Sequence, residues 1–275
     1  MVVATPIGSL DDLSPRAVQA LRDADVVACE DTRRTAVLLR HAGVDAPMVP
    51  AHRHNEARRA SDLARRMADG AVVVLVSDAG MPAVSDPGAR VVAAALEAGV
   101  PVTVVPGPGA VETALVASGL ASGAGYAFAG FAPRKAAEMP AFMERIDRWG
   151  EPVVMFESPR RVGALLAAIA AHDPDRPVAV CRELTKVHEE VIRGTAADLA
   201  GRIDGPLKGE VAVVVAPPAA PAPPDERALA EAITPMLDAG LSPARAADVV
   251  AALGAAPRNA AYRAALAAAA MRESA

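Results

Sequence analysis

Aromatic side chains are scarce in this sequence: four Phe, two Tyr and one Trp among 275 residues. The apolar mass, 52% of the chain, is therefore mostly Ala, Val and Leu. That composition suits helices packed on Val-rich strands around a sizeable buried core. Cysteine is nearly missing. Cys29 and Cys181 are too few for a metal cage, and each lies beside an apolar run of strand length. Buried, reduced thiols and a cytosolic compartment are the expectation. The apolar runs at 71–76 and 211–216 stop after strand length, so no membrane span is expected, and no basic-then-apolar secretory signal opens the chain. No GxGxxG follows the first strand, which disfavours a hydride-transferring dehydrogenase, and no Walker-type phosphate loop occurs. A basic excess is also lacking. The net charge of −5 argues, taken alone, against a nucleic-acid partner.

The charge is nevertheless uneven. Between Arg33 and Arg66 lie eight arginines and three histidines against only Asp45, Glu56 and Asp62. Such a stretch either faces phosphates or forms a solvated helix face.

Short Val-rich runs alternate with amphipathic stretches. Strands are predicted at 2–4, 25–28, 71–76, 102–105, 153–156, 178–181 and 211–215, and helices at 15–22, 32–41, 55–69, 89–97, 111–118, 140–146 and 162–171. Continuous apolar strands separated by helices predict an α/β fold with a largely buried parallel sheet. Ser14-Pro15 supplies a cap followed by proline at the first helical position. A Gly- and Ala-rich irregular stretch near 119–139 predicts a boundary, and the proline-rich run after Ala216 a stiff linker. The expected division is an α/β domain at 1–118, a second at 119–216, a linker at 217–225 and a tail of about three helices at 226–275.

Four loops at the carboxyl ends of predicted strands are rich in Gly and Pro: 4–10, 77–88, 106–110 and 157–161. Small, preset residues there let backbone groups approach a flat ligand, and open α/β sheets bind ligands at that end. One such loop alone only turns a chain; four in sheet order, one carrying Asp78 and Asp86, point to a ligand. Other polar clusters are ambiguous. Asp31, Thr32 and Asn55 each precede a predicted helix and serve equally well as caps. His52, His54 and Glu56 alternate along a loop without further ligands, a poor metal site, so no metal is expected. Arg182-Glu183-Leu184-Thr185-Lys186 brings acid, hydroxyl and amine together directly after a strand, as either an ion pair or a catalytic group.

These residues, in order and spacing, resemble a known family. Thr5-Pro6-Ile7-Gly8, Glu30-Asp31-Thr32-Arg33, His54-Asn55-Glu56, Ser77-Asp78-Ala79-Gly80, Ser85-Asp86-Pro87-Gly88, Pro106-Gly107-Pro108, Gly130-Phe131, Glu157-Ser158-Pro159, Arg182-Glu183-Leu184-Thr185-Lys186 and Lys208-Gly209-Glu210 are similar to motifs of the ribosomal RNA small-subunit methyltransferase I family. Its members are cytidine 2′-O-ribose methyltransferases of the tetrapyrrole-methylase-like class III group. Ser9, Met81, Gly109 and Arg160 depart from the usual residues, and the family carries several residues ahead of Val2-Val3, which leaves an earlier start open.

The resemblance implies two α/β domains with an S-adenosylmethionine cleft between them, a small helical tail, a cytoplasmic homodimer and a 16S rRNA substrate within the small ribosomal subunit. It implies cofactor contacts at Gly8, Ser77, Asp78, Ala79, Gly80, Gly107, Pro108 and Phe156. Lys186 is the candidate general base, its pKa lowered by burial or neighbouring arginines and its amine oriented by Glu183. Arg33, Arg53, His54, Asn55, Glu56, Arg58 and Arg59 are candidate RNA contacts. Two alternatives stay open: a small-molecule, tetrapyrrole-type methylase on the same fold, and a non-catalytic RNA-binding assembly factor.

Overall fold

The computed structural model describes residues 1–219 and 225–273. Residues 220–224 of the expected linker, and 274–275 of the expected tail, lie outside the described residues. The chain forms two compact units, Met1–Pro218 and Ala219–Ala275.

The first unit holds two five-stranded sheets. One contains β1 (Val2–Val3), β2 (Val26–Cys29), β3 (Met48–Pro50), β4 (Val73–Leu75) and β5 (Val104–Val105), ordered β3-β2-β4-β1-β5 and parallel throughout. Helices α1 (Pro15–Arg22), α2 (Thr32–Ala42), α3 (Glu56–Ala68) and α4 (Ala89–Glu97) supply its crossovers. Every residue of β2 and β4 is buried, which is why the strands read as unbroken apolar runs rather than alternating ones. Helix α5 (Ala110–Ser118) leads to the second sheet.

That sheet departs from the all-parallel expectation. It contains β6 (Ala127–Phe131), β7 (Val153–Glu157), β8 (Pro177–Arg182), β9 (Glu190–Thr195) and β10 (Val211–Val215), ordered β6-β7-β10-β8-β9. Only β6 and β7 run parallel; β10 is antiparallel to both neighbours, and β8 to β9. A short loop joins β8 to β9, and a connection that short permits only antiparallel pairing. Helices α6 (Met139–Trp149), α7 (Val162–His172) and α8 (Ala196–Arg202) cover one face. There Leu165, Leu166, Ile169 and Leu199 pack on the valines of β7, β8 and β10. Both cysteines are free and fully buried, and burial pushes the Cys181 thiol up to about 11.

The Ser14 cap forms as expected, its hydroxyl accepting from Ala17 N at 3.1 Å, and the Asp31 side chain accepts from Arg33 N at 2.8 Å. Asn55 does not cap α3. Its Oδ1 instead accepts from His52 N at 2.8 Å and its Nδ2 donates to Pro50 O, closing the β3–α3 loop.

The second unit contains α9 (Glu226–Asp238), α10 (Pro243–Ala252) and α11 (Arg258–Glu273). Small residues, Ala246, Ala261, Ala264 and Ala265, let these helices pack closely around Ile233. Among the described residues no helix is long and apolar enough to cross a membrane.

Candidate active site

Strands β4, β1 and β5 are neighbours, so the loops that follow them emerge side by side. Thr5 and Gly80 exchange backbone hydrogen bonds of 2.9 and 3.0 Å, locking the β1 loop to the β4 loop. Gly80 has φ 78, a left-handed conformation open to glycine at little cost. With the β7 loop and the residues ahead of β10, these loops enclose a cavity of about 730 Å³. That volume lies in the range of small-molecule and cofactor sites.

Of the residues expected to meet a cofactor, Asp78, Ala79, Gly80, Gly107, Pro108 and Phe156 line this cavity. Ser77 and Gly8 do not. Ser77 is buried and its hydroxyl donates to Gly80 O at 2.9 Å, so it shapes the turn from behind. Gly8 stands against residues 184–186: a Cβ there would come within 2.7 Å of Leu184 O and 2.5 Å of Thr185 Oγ1. Ser9 N donates to the same Thr185 hydroxyl at 3.0 Å.

Aromatic residues, so few in the chain, gather here. Tyr126, Phe128, Phe131 and Phe156 line the cavity, with Phe156 edge-on to Phe128 at 4.9 Å and to Phe131 at 5.8 Å. Tyr126 donates to Glu112 Oε1 at 2.7 Å. Three of the four come from the stretch read as an irregular boundary, where β6 carries a register shift between Phe128 and Phe131. A concentration of the rare aromatics just ahead of β7 was the signal that could have found them.

Acidic groups also line the cavity. Glu30, Asp78 and Asp86 line the cavity from the loops after β2 and β4. Asp78 Oδ1 accepts from Asp31 N at 3.0 Å, and its Oδ2 lies 3.8 Å from Arg34 Nε, so much of its accepting capacity is already engaged. Burial and the Asp78 charge raise Glu30 above the ordinary carboxylate value. Burial, then the charges of Glu30 and Asp78, push Asp86 up to about 6, against the opposing pull of Arg53. In the sequence Asp86 stands out only as one of two aspartates in a ligand loop and Glu30 not at all, because their convergence depends on the β2–β4 pairing.

The expected lowered pKa of Lys186 is corrected by the geometry. Its Nζ donates to Glu183 Oε1 at 2.8 Å and to Glu210 Oε2 at 3.0 Å. Burial alone would lower it, but the two carboxylates outweigh burial and raise it. Lys186 is a protonated clasp rather than a free amine. Glu183 is held below its ordinary value by Lys186 and by the Glu210 amide, which donates to Glu183 Oε1 at 2.9 Å. Glu210 itself lines the cavity.

The residues expected to face RNA divide. Glu56 is buried, its Oε1 accepting from Gly88 N at 2.8 Å and from Arg90 N at 3.0 Å. It satisfies amides at the start of α4, which has no side-chain cap of its own, and is unavailable to RNA. Asn55 is spent on the loop closure described above. Arg59 is half-buried, 3.9 Å from Asp62. Arg33, Arg53, His54 and Arg58 are exposed. Arg33 makes a close pair with Asp31, 2.7 Å, and its hydrogen bonds hold that acid at about 2. Arg53 Nη2 donates to Ser85 O at 3.0 Å, which places its guanidinium beside the cavity wall, and Arg34 lines the cavity itself.

Residues 1–200 match the family of Tetrapyrrole (Corrin/Porphyrin) Methylases. The chain is 45% identical over 216 residues to "Ribosomal RNA small subunit methyltransferase I" of Mycobacterium tuberculosis (strain ATCC 25618 / H37Rv), covering 78% of this chain and 75% of that protein. The protein of the same name from Micromonospora olivasterospora is 41% identical over 238 residues, 86% of this chain and 76% of its own. Among solved structures, diphthine synthase superposes with a TM-score of 0.58 at 19% identity, covering 78% of this chain and 88% of its own. Uroporphyrin-III-C-methyltransferase from Thermus thermophilus gives 0.54 at 23%, covering 77% and 91%. These structural likenesses carry the fold alone. The chain belongs to the ribosomal RNA small subunit methyltransferase I family of the tetrapyrrole methylases, whose methyl donor is S-adenosylmethionine.

Proposed function

We propose that this protein methylates the ribose 2′-hydroxyl of a cytidine in the decoding region of 16S rRNA, acting in the cytoplasm as a homodimer on the small ribosomal subunit. The observation that carries the reading is its kinship, over most of the chain, with relatives named for small-subunit ribosomal RNA. The cavity fits the donor: aromatic faces suit an adenine ring and a sulfonium, and the carboxylates of Glu30, Asp78 and Asp86 offset its positive charge. Gly80, Gly107 and Pro108 would hold it through backbone contacts, and Phe156 through its ring.

The bound donor supplies a methyl group already activated for in-line displacement. The work left to the protein is alignment of the ribose oxygen, exclusion of water by the aromatic wall and acceptance of a proton. Arg34 and Arg53, beside the same cavity, offer charge to the phosphates flanking the target nucleotide.

The deciding assay is transfer of labelled methyl groups to small subunits from a strain lacking the gene, followed by nuclease mapping. Label on one cytidine ribose is expected. Donor binding with no label on RNA would transfer the assignment to a small-molecule methylase, and RNA binding without donor affinity to an assembly factor. Phe156→Ala is expected to weaken donor binding about tenfold in calorimetry, the loss of one half-buried aromatic contact. Unchanged affinity would remove Phe156 from the donor site.

A further inference from the structure

We propose that Arg134, Arg160 and Lys208 form a phosphate-binding rim that holds the RNA strand beside the target nucleotide, at the edge of the cavity built by the second sheet. The proposal rests on the RNA-methylation reading above and names a contact by which that substrate is gripped. The three cations come from separate loops, those after β6 and β7 and the one ahead of β10. Hydrogen bonds tie these loops together: Arg161 Nη2 donates to Pro133 O, and Leu207 N donates to Pro159 O at 2.9 Å. Each cation is the chain neighbour of a residue in that network. Glu157 Oε2, 3.3 Å from Arg161 Nη2, holds the network to the end of β7. The same loops open onto the cavity, which Phe131, Ser158, Pro159 and Gly209 help to line. Arg160 and Lys208 therefore stand next to its wall in the chain, without lining it themselves.

All three side chains are exposed and, among the described residues, have no hydrogen-bonding or ionic partner. Neighbouring acids are engaged elsewhere: Glu157 with Arg161, Glu210 with Lys186 at 3.0 Å and Glu138 with Lys135 at 3.2 Å. Asp204, in the loop that carries Lys208, is what opposes the three positive charges.

Electrostatics gives the rim its purpose. Glu30, Asp78 and Asp86 line a cavity suited to a sulfonium but hostile to a phosphate chain. Arg34 and Arg53, on the first sheet's loops, are partly spent on Asp78 at 3.8 Å and on Ser85 O at 3.0 Å. The cations of the second sheet's loops carry no such commitment and are free to neutralise phosphates. Long stems let them follow a strand, and the arginine forks can grip a phosphate with two parallel hydrogen bonds.

The test measures single-turnover methyl transfer to small subunits from a strain lacking the gene, over a range of subunit and salt concentrations. It compares wild type, the combined variant R134A/R160A/K208A and the charge-keeping R134K/R160K. The combined alanine variant is expected to need on the order of fiftyfold more subunit for half-saturation, with a maximal rate within about twofold of wild type. Its slope of log affinity against log salt should fall by about 2, the counterion release of three single-strand phosphates. R134K/R160K should recover most of the affinity, because the point charges remain. Arg16→Ala, which removes an exposed charge on α1, is the control and should leave subunit affinity nearly unchanged. Donor affinity in calorimetry should be the same for all of them. Poly(U), a single strand without cytidine, should inhibit wild type and inhibit the combined alanine variant far less. Wild-type half-saturation and salt slope in that variant overturn the proposal. So does weakened subunit binding with undiminished poly(U) inhibition, which would assign the rim to a ribosomal protein, and so does a parallel fall in donor affinity. A wild type that binds donor but labels no RNA overturns the functional reading and the rim with it. A labelling wild type beside an unaltered R134A/R160A/K208A overturns the rim alone.

Discussion

Gly8→Ala is expected to slow methyl transfer by about two orders of magnitude while lowering the melting temperature by only a few degrees. The added Cβ would meet Leu184 O at 2.7 Å, Thr185 Oγ1 at 2.5 Å and Lys186 Cγ at 2.6 Å. The hydroxyl can rotate and the lysine stem can bend, but the carbonyl belongs to the backbone and must move with its loop. Gly8 has no left-handed φ, so the cost is steric rather than conformational. Pushing the loops apart breaks the bond from Ser9 N to Thr185 and shifts the clasp of Lys186 with Glu183 and Glu210. A displacement of about 1 Å in a site that works by alignment costs roughly a hundredfold in rate. The strain itself costs about 1–3 kcal/mol, enough to shift the melting point without preventing folding. Gly201→Ala in α8 is the control, since a Cβ there meets nothing within 4 Å. That variant should be neutral or slightly stabilising. Full turnover by G8A would show that residues 184–186 are not part of the working site.

The same glycine illustrates what a sequence can and cannot disclose. A Gly in the loop after β1 reads correctly as a point of close approach, but whether a ligand or another loop approaches is decided by residues some 176 positions away. The core strands were legible because burial on both faces writes them as continuous valine runs, as in β4 and β10. The missed strands lack that signature. β9 is an edge that mixes Glu190, Arg193 and Gly194 with apolar residues, β6 is interrupted by Gly130 at φ 70, and β3 has three residues and ends in proline. Glu56 was a missed opportunity of a different kind. With Ala60, Leu63 and Ala64 it completes a helical stripe, and all four are buried. Position in that stripe argues for an inward cap rather than an RNA contact. The protonation state of Lys186 was beyond reach, because it turns on Glu210, carried by the segment ahead of a different strand.

Arg176→Ala is expected to destabilise the fold by about 3 kcal/mol, the cost of stripping one partner from a largely buried ion pair. Arg176 is 3% exposed and stands just ahead of β8. Its Nε donates to Ala216 O, beyond the end of β10, at 2.6 Å. Its Nη2 lies 2.9 Å from Asp147 Oδ1 on α6, close enough for a strong ion pair though outside the angles of a good hydrogen bond. Asp147 also takes a 2.6 Å contact from His172 Nε2 at the end of α7, which is why the loss should not exceed the lower part of the usual range. One guanidinium thus joins two sheet strands to the helices that cover them. Arg176→Lys keeps the charge but cannot reach a carbonyl and a carboxylate with one planar fork, so it should recover only part of the loss. The pH dependence gives an independent check. Burial would raise Asp147, but His172 and Arg176 overcome it and hold the acid below its ordinary 3.8. A carboxylate depressed in the folded state contributes stability above its unfolded pKa and loses it as pH falls through the folded one. The gap between wild type and R176A in urea denaturation should therefore be widest near neutrality and narrow below pH 3.8. A gap that stayed constant through that acid range would mean that Arg176 acts through Ala216 and packing alone, and that its charge contributes nothing.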